Sequence, residues 1–147
     1  MVKIGIIGGS GLENPEIFKD GSILEVDTAY GPPSAPLKVG TIAGVEAILL
    51  ARHGVDHQYS PTEVNNRANI TALRDAGVTH IIATTACGSL RAEIERGHLV
   101  VLDQFIDFTR FRSNTFHDSF AGGAQHTAMA HPFNEELRQQ LIAAGQR

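Results

Sequence analysis

Apolar and polar positions alternate loosely over Val2–Ile7, and the run reads as a first strand. It ends in Gly8-Gly9-Ser10-Gly11, a tight turn whose glycines set no Cβ against a ligand and whose serine adds a hydroxyl. A second strand is expected over Ile23–Thr28. The Tyr30–Pro36 segment follows as a rigid loop, because its prolines cannot join a ladder. Leu37–Ile42 and Val45–Leu50 read as a hairpin turning at Ala43-Gly44. Ser60-Pro61-Thr62-Glu63 holds the residues of a capping box with proline at the first helical position. A helix is expected from there to about Ala76, stopping at Gly77, with Val64, Ala68, Ala72, Leu73 and Ala76 on its buried side.

Thr79–Ala83 reads as a buried central strand that breaks off in Thr84-Thr85-Ala86-Cys87-Gly88-Ser89. Leu99–Leu102 reads as one more short strand, and Asp103–His117 as a mixed aromatic and polar loop with a functional or subunit-contact role. Asn134–Ala144 predicts a last amphipathic helix, capped by Asn134, with Glu135 and Glu136 at its positive end. Strand, helix and strand from Val45 to Ala83 suggest a right-handed crossover. The fold class is therefore α/β with a largely parallel sheet, in a single domain spanning 1–147.

The chemistry concentrates where strands end. Small residues and hydroxyls after Ala83 leave a concavity at a strand's carboxyl end, where open α/β sheets hold ligands and backbone N–H groups can approach an anion. Arg52 and His53 follow another apolar strand. A guanidinium binds phosphate through paired hydrogen bonds and keeps its charge; the alternative is a surface arginine at a strand end. Gly8–Gly11 with Glu25 or Asp27 downstream invites a dinucleotide reading. Asn14 stands where a third glycine or alanine is wanted, and Pro15 follows it. An anion-binding turn is preferred, with a plain tight turn as the alternative.

The remaining candidates have plainer readings. His53 and His57 resemble a zinc pair, but Gly54 and the preceding strand argue against a helix there. Cys87 reads as buried packing, since nothing nearby supplies a base. Asp103 and Asp107 have the chemistry of an acid/base pair without a known separation. His117, His126 and His131 read as surface or interface histidines, and Met129 as packing.

Composition narrows the partners. The 147 residues are 42% apolar and 19% charged, ordinary for a folded domain. A net charge of −4 and a pI near 5.9 argue against nucleic acid and against a polybasic membrane surface. No apolar run approaches the ~20 residues of a membrane span. Cys87 is the single cysteine, so a reducing, cytoplasmic setting is expected.

Six separated blocks then share one likeness: GIIGGSGL from Gly5, the Pro33–Pro36 loop, LARHG from Leu50, VNNRANITAL from Val64, TTACGSL from Thr84 and DQFID from Asp103. Together they resemble the 5′-methylthioadenosine phosphorylase family, across nearly the whole chain. TTACGSL is closer to the methylthioadenosine enzymes than to their inosine- or guanosine-directed relatives. The resemblance implies a nucleoside phosphorylase fold with a twisted, mixed central sheet flanked by helices. It implies phosphorolysis of methylthioadenosine to adenine and 5-methylthioribose 1-phosphate, with inorganic phosphate as co-substrate and no cofactor or metal.

By the same resemblance Ser10, Arg52, His53, Thr85 and Ala86 would bind phosphate. His126 would reach the 5′-substituent pocket of a neighbouring subunit in a trimer or hexamer. Family members are far longer than this chain, so the fold is expected to be incomplete here and to need a C-terminal half or a second polypeptide. The ribose-contacting methionine and purine-contacting aspartate of the family have no counterpart in these residues, so no catalytic residue is assigned and 147 residues alone are expected to be inactive. Phosphorolysis of other purine nucleosides (inosine, guanosine, adenosine or methylthioinosine) and a non-catalytic phosphate- or nucleotide-binding subunit remain as alternatives.

Overall fold

A computed structural model of the protein describes residues 2–9, 12 and 18–147. The elements are β1 (Ile4–Gly8), β2 (Lys19–Leu24), β3 (Leu37–Ile42), β4 (Val45–Ala51), α1 (Asn66–Asp75), β5 (His80–Ala83) and α2 (Glu135–Gly145). They divide between two units, Met1–Cys87 with Phe111–Phe116, and Gly88–Arg110 with His117–Arg147.

The first unit is built on a mixed sheet of order β2-β3-β4-β1-β5. β1 runs parallel to both β4 and β5, while β3 is antiparallel to β2 and β4. The α/β class with a mixed sheet is as expected, its parallel part being β4-β1-β5. α1 carries the chain from β4 to β5 across β1, the expected crossover. The register sets Gly8 beside Ala51 and Ile7 beside Ala83, so three strands end together. The ladder runs one residue further on each side: Arg52 N–H donates to Gly8 O and Thr84 N–H to Ile7 O, both at 3.0 Å.

The apolar pattern explains the layers. Ile7, Leu37, Ile48 and Leu50 share one sheet face and bury against Ala72 and Leu73 of α1. Each such aliphatic side chain contributes about 1.5–3 kcal/mol on burial. The opposite face carries Ala47 and Leu49 under Phe18, with Ile6 and Ile42 packed beside them.

α1 starts one turn later than the capping box predicts. Residues 60–64 form an isolated turn in which Ser60 O accepts from Glu63 N–H (3.0 Å) and Val64 N–H (3.2 Å). The Glu63 carboxylate accepts from the Ser60 hydroxyl and from Ser60 N–H at 2.9 Å, which holds it below the usual carboxylate range. The helix cap is Asn65, whose Oδ1 accepts from Ala68 N–H at 3.1 Å. Its amide also donates to Tyr30 O at 2.7 Å, so this residue both starts the helix and ties down the proline-rich loop. The far end is as expected. Gly77, at φ +81°, donates to Arg74 O while Val78 N–H reaches Leu73 O, the paired bonds of a Schellman stop.

Buried Thr71 in α1 has a hydroxyl with no hydrogen-bond partner among the described residues. An unpaired buried hydroxyl is a cost that an isosteric methyl removes. Thr71→Val is therefore expected to raise stability by up to about 1 kcal/mol. Urea unfolding checks it, and a clear loss of stability would show that the hydroxyl is bonded after all.

Three strand expectations need correction. β2 spans Lys19–Leu24 instead of 23–28, because its partner β3 sets its length: Leu24 lies opposite Leu37, where β3 begins. β5 is an edge strand of this sheet, not a central one, and its residues are half-buried or exposed. Leu99–Leu102 forms no strand; Leu99 is 92% exposed, and Leu102 O accepts from Arg138 Nε (2.7 Å) instead of a ladder N–H.

In the second unit α2 is capped as expected, Asn134 Oδ1 accepting from Leu137 N–H at 2.8 Å. Leu137, Leu141 and Ile142 are half-buried. Gln104 Nε2 donates to Met129 O at 3.0 Å, and Phe105 meets Phe133 edge-on. No described helix is long and apolar enough to cross a membrane.

Candidate active site

The ends of β4 and β5 are tied together by one guanidinium. Arg52 follows β4 directly, so the strand fixes where its side chain begins. Its Nη1 donates to Thr84 O (3.0 Å), its Nη2 to Thr85 Oγ1 (3.3 Å), and its Nε to His53 Nε2 (3.3 Å). The His53 ring is held from its other side, Nδ1 lying 2.8 Å from Tyr59 O. A carbonyl can only accept, so Nδ1 carries the proton and Nε2 is left to accept from Arg52. Three of the five guanidinium N–H groups are thereby engaged, and two have no partner among the described residues.

Gly9 closes the third side. Its N–H donates to Thr84 Oγ1 at 3.4 Å. A Cβ there would lie 2.8 Å from Arg52 Nη2 and 2.9 Å from Thr84 O, so only glycine lets the three strand ends approach this closely. Gly9→Ala must push aside a backbone carbonyl and the guanidinium together. Misplacement of that order costs about ten- to a hundredfold in the kinetics of a site. On the expectation from the sequence that the cleft holds phosphate, the loss falls on the phosphate KM, and an unchanged KM would mean that this approach has no bearing on the site.

A cleft of ≈ 390 Å³ opens here. Arg52, His53, Thr85 and Ala86 line it, so four residues expected from the sequence are brought together from two strand ends 32 positions apart. Pro61, Val64, Asn66 and Arg112 complete the lining, and none of the eight is acidic. The sequence reading missed these four as site residues. Pro61 was expected as a helical position, and Arg112 lies in a segment with no periodic pattern, where nothing local distinguishes it.

The other candidates stand apart from this cluster. Ser10 lies outside the described residues. His126 belongs to the second unit, where it is exposed. Cys87 is exposed, which corrects its reading as buried packing. Asp107 Oδ1 accepts from Thr109 N–H at 2.8 Å and so serves a local turn. His53 and His57 stack ring on ring, 4.7 Å between centroids.

A mixed α/β sheet whose parallel strands end in one basic cleft, with no acidic residue among its described lining, suits an enzyme acting on an anion. Over residues 3–147 the sequence matches the Phosphorylase superfamily, and the chain belongs to that family. Within it the likeness is to one kind of enzyme. The S-methyl-5′-thioadenosine phosphorylase of Xenopus tropicalis is 51% identical over 99% of this chain and 53% of its own length. The Schistosoma mansoni methylthioadenosine phosphorylase in complex with tubercidin superposes with a TM-score of 0.91 at 47% identity, over 99% of this chain and 52% of its own. A variant of the S. mansoni adenosine/methylthioadenosine phosphorylase in complex with adenine gives 0.93 at 48%, with the same coverage. The chain thus spans about half the length of the relatives it matches.

Proposed function

We propose that this chain supplies the phosphate-binding half of an enzyme that converts methylthioadenosine and inorganic phosphate to adenine and 5-methylthioribose 1-phosphate. The observation that carries the reading is the convergence of Arg52, His53, Thr85 and Ala86 on one cleft at the end of the parallel strands. The relatives' names supply the nucleoside.

The chemistry suits what this cleft offers. As the C1′–N9 bond breaks, its electron pair leaves with the purine and positive charge grows on the ribose. A monohydrogen phosphate held below the sugar stabilises that charge and then bonds to C1′, and the proton it gives up ends on the purine, which leaves as neutral adenine. Holding the phosphate still is the protein's task here, since orientation and fixed donors lower the barrier without a change in bonding to the protein. Arg52 provides charge and two open N–H groups, Thr85 a hydroxyl, and the backbone around Ala86 close approach. Ser10 would add a second hydroxyl, and His126 would serve a neighbouring subunit of a cytoplasmic homo-oligomer. Neither a metal nor an organic cofactor enters this scheme.

The complete protein is expected to release adenine from methylthioadenosine only when phosphate is present, with 5-methylthioribose 1-phosphate in equal amount. Release of free methylthioribose, or release without phosphate, would overturn the proposal. Adenosine is the second substrate to try, because one of the S. mansoni relatives is described as acting on both. The ratio of the two kcat/KM values decides between them.

A further inference from the structure

We propose that Arg112 is a second anion-binding residue of the cleft, acting with Arg52 on the same phosphate. This rests on the reading of the cleft as a phosphate site. Arg112 is half-buried and lines the cleft that holds Arg52. Arg74, Arg91 and Arg138 each pair with a nearby carboxylate. Arg112 has no hydrogen-bond or ion-pair partner among the described residues. Its nitrogens are not among the buried atoms left without a partner, so its fork stays open toward the cleft, and an anion there is the partner that a guanidinium binds best.

The backbone around it points the same way. Phe111 holds φ at +61°, a left-handed conformation that a bulky residue seldom adopts. The residue is 97% exposed, so no burial of its own compensates. Such strain is kept where the neighbouring geometry is needed. Four residues after Arg112, Phe116 packs edge-on against Tyr30 at 5.4 Å and anchors the segment to the loop that Asn65 ties to α1. The kink and the anchor bracket the arginine and set its approach to the cleft.

Charge makes the second cation useful. A phosphate near neutral pH carries up to two negative charges, and Arg52 meets it with one positive charge and two open N–H groups. Arg112, on the lining of the same cleft, supplies the second positive charge, with a fork of donors.

Calorimetric titration of the complete protein with inorganic phosphate tests this, comparing wild type, Arg52→Met, Arg112→Met and Arg112→Lys. Arg112→Met is expected to raise the phosphate Kd about tenfold or more, Arg112→Lys to recover part of that loss, and methylthioadenosine affinity without phosphate to stay within about twofold. Phosphate binding by Arg112→Met at wild-type strength, with Arg52→Met impaired, would overturn the role of Arg112 alone. Wild-type protein that binds no phosphate, or an Arg52→Met variant that binds it normally, would overturn the phosphate reading of the cleft and this proposal with it. Should Arg112→Met fail to fold, wild-type protein decides. Phosphate is expected to shield both arginines from an arginine-directed dicarbonyl reagent, read by peptide mass spectrometry; shielding of Arg52 without Arg112 would refute the pairing.

Discussion

Arg52→Met is expected to lower kcat/KM for phosphate by about 10²–10³-fold in the complete protein, a typical loss when a fixed donor to the reacting group is removed. On the proposed function the side chain has two roles, which stability and kinetics read separately. Its three protein contacts, to Thr84 O, Thr85 Oγ1 and His53 Nε2, hold strand ends together. These are part-buried or exposed bonds, and their loss costs about 1–2 kcal/mol of stability at most. On the proposed function its remaining donors and its charge serve the phosphate, and they account for the kinetic loss. Arg52→Lys retains charge but has three donors on a single atom, so it cannot span the same partners and grip an anion as well. Kinetics at varied phosphate check both variants beside their unfolding midpoints. A wild-type phosphate KM in Arg52→Met would remove this residue from the site.

The largest expected loss of stability is at Asn69, which is only 2% exposed. Its Oδ1 accepts from Ser34 N–H at 2.7 Å and its Nδ2 donates to Ser34 Oγ at 3.0 Å, closing a ring between α1 and the proline-rich loop. Ser34 is itself buried. Asn69→Leu keeps the bulk but strands a buried N–H and a hydroxyl, which costs about 2–4 kcal/mol. Urea unfolding with an unchanged m-value measures it. A variant as stable as wild type would mean that water replaces the amide.

Local chemistry determined how much of this was legible in the sequence. The β3–β4 hairpin and the Gly77 stop were plain, because a turn and a left-handed cap each leave their mark on one or two residues. The cleft was legible at Arg52, His53, Thr85 and Ala86, since all four lie within three residues of the end of an apolar strand and the parallel register aligns the strand ends. β2 was displaced because its limits belong to its partner. The helix start was misjudged because Ser60–Glu63 satisfies its own turn, while Asn65 caps the helix through a side chain also committed to Tyr30, 35 residues away. Arg112 was hidden for the same reason: its value comes from tertiary placement.

The clamp on Arg52 also bears on how fast an anion can be captured. A free arginine must freeze several torsions when it grips a ligand, and immobilising such a side chain costs about 0.5–1.5 kcal/mol. Here Thr84, Thr85 and His53 hold the fork in place beforehand. On the proposed function an arriving phosphate meets a rigid receptor, so its association rate should approach the encounter limit, with differences in affinity between related anions appearing as differences in residence time.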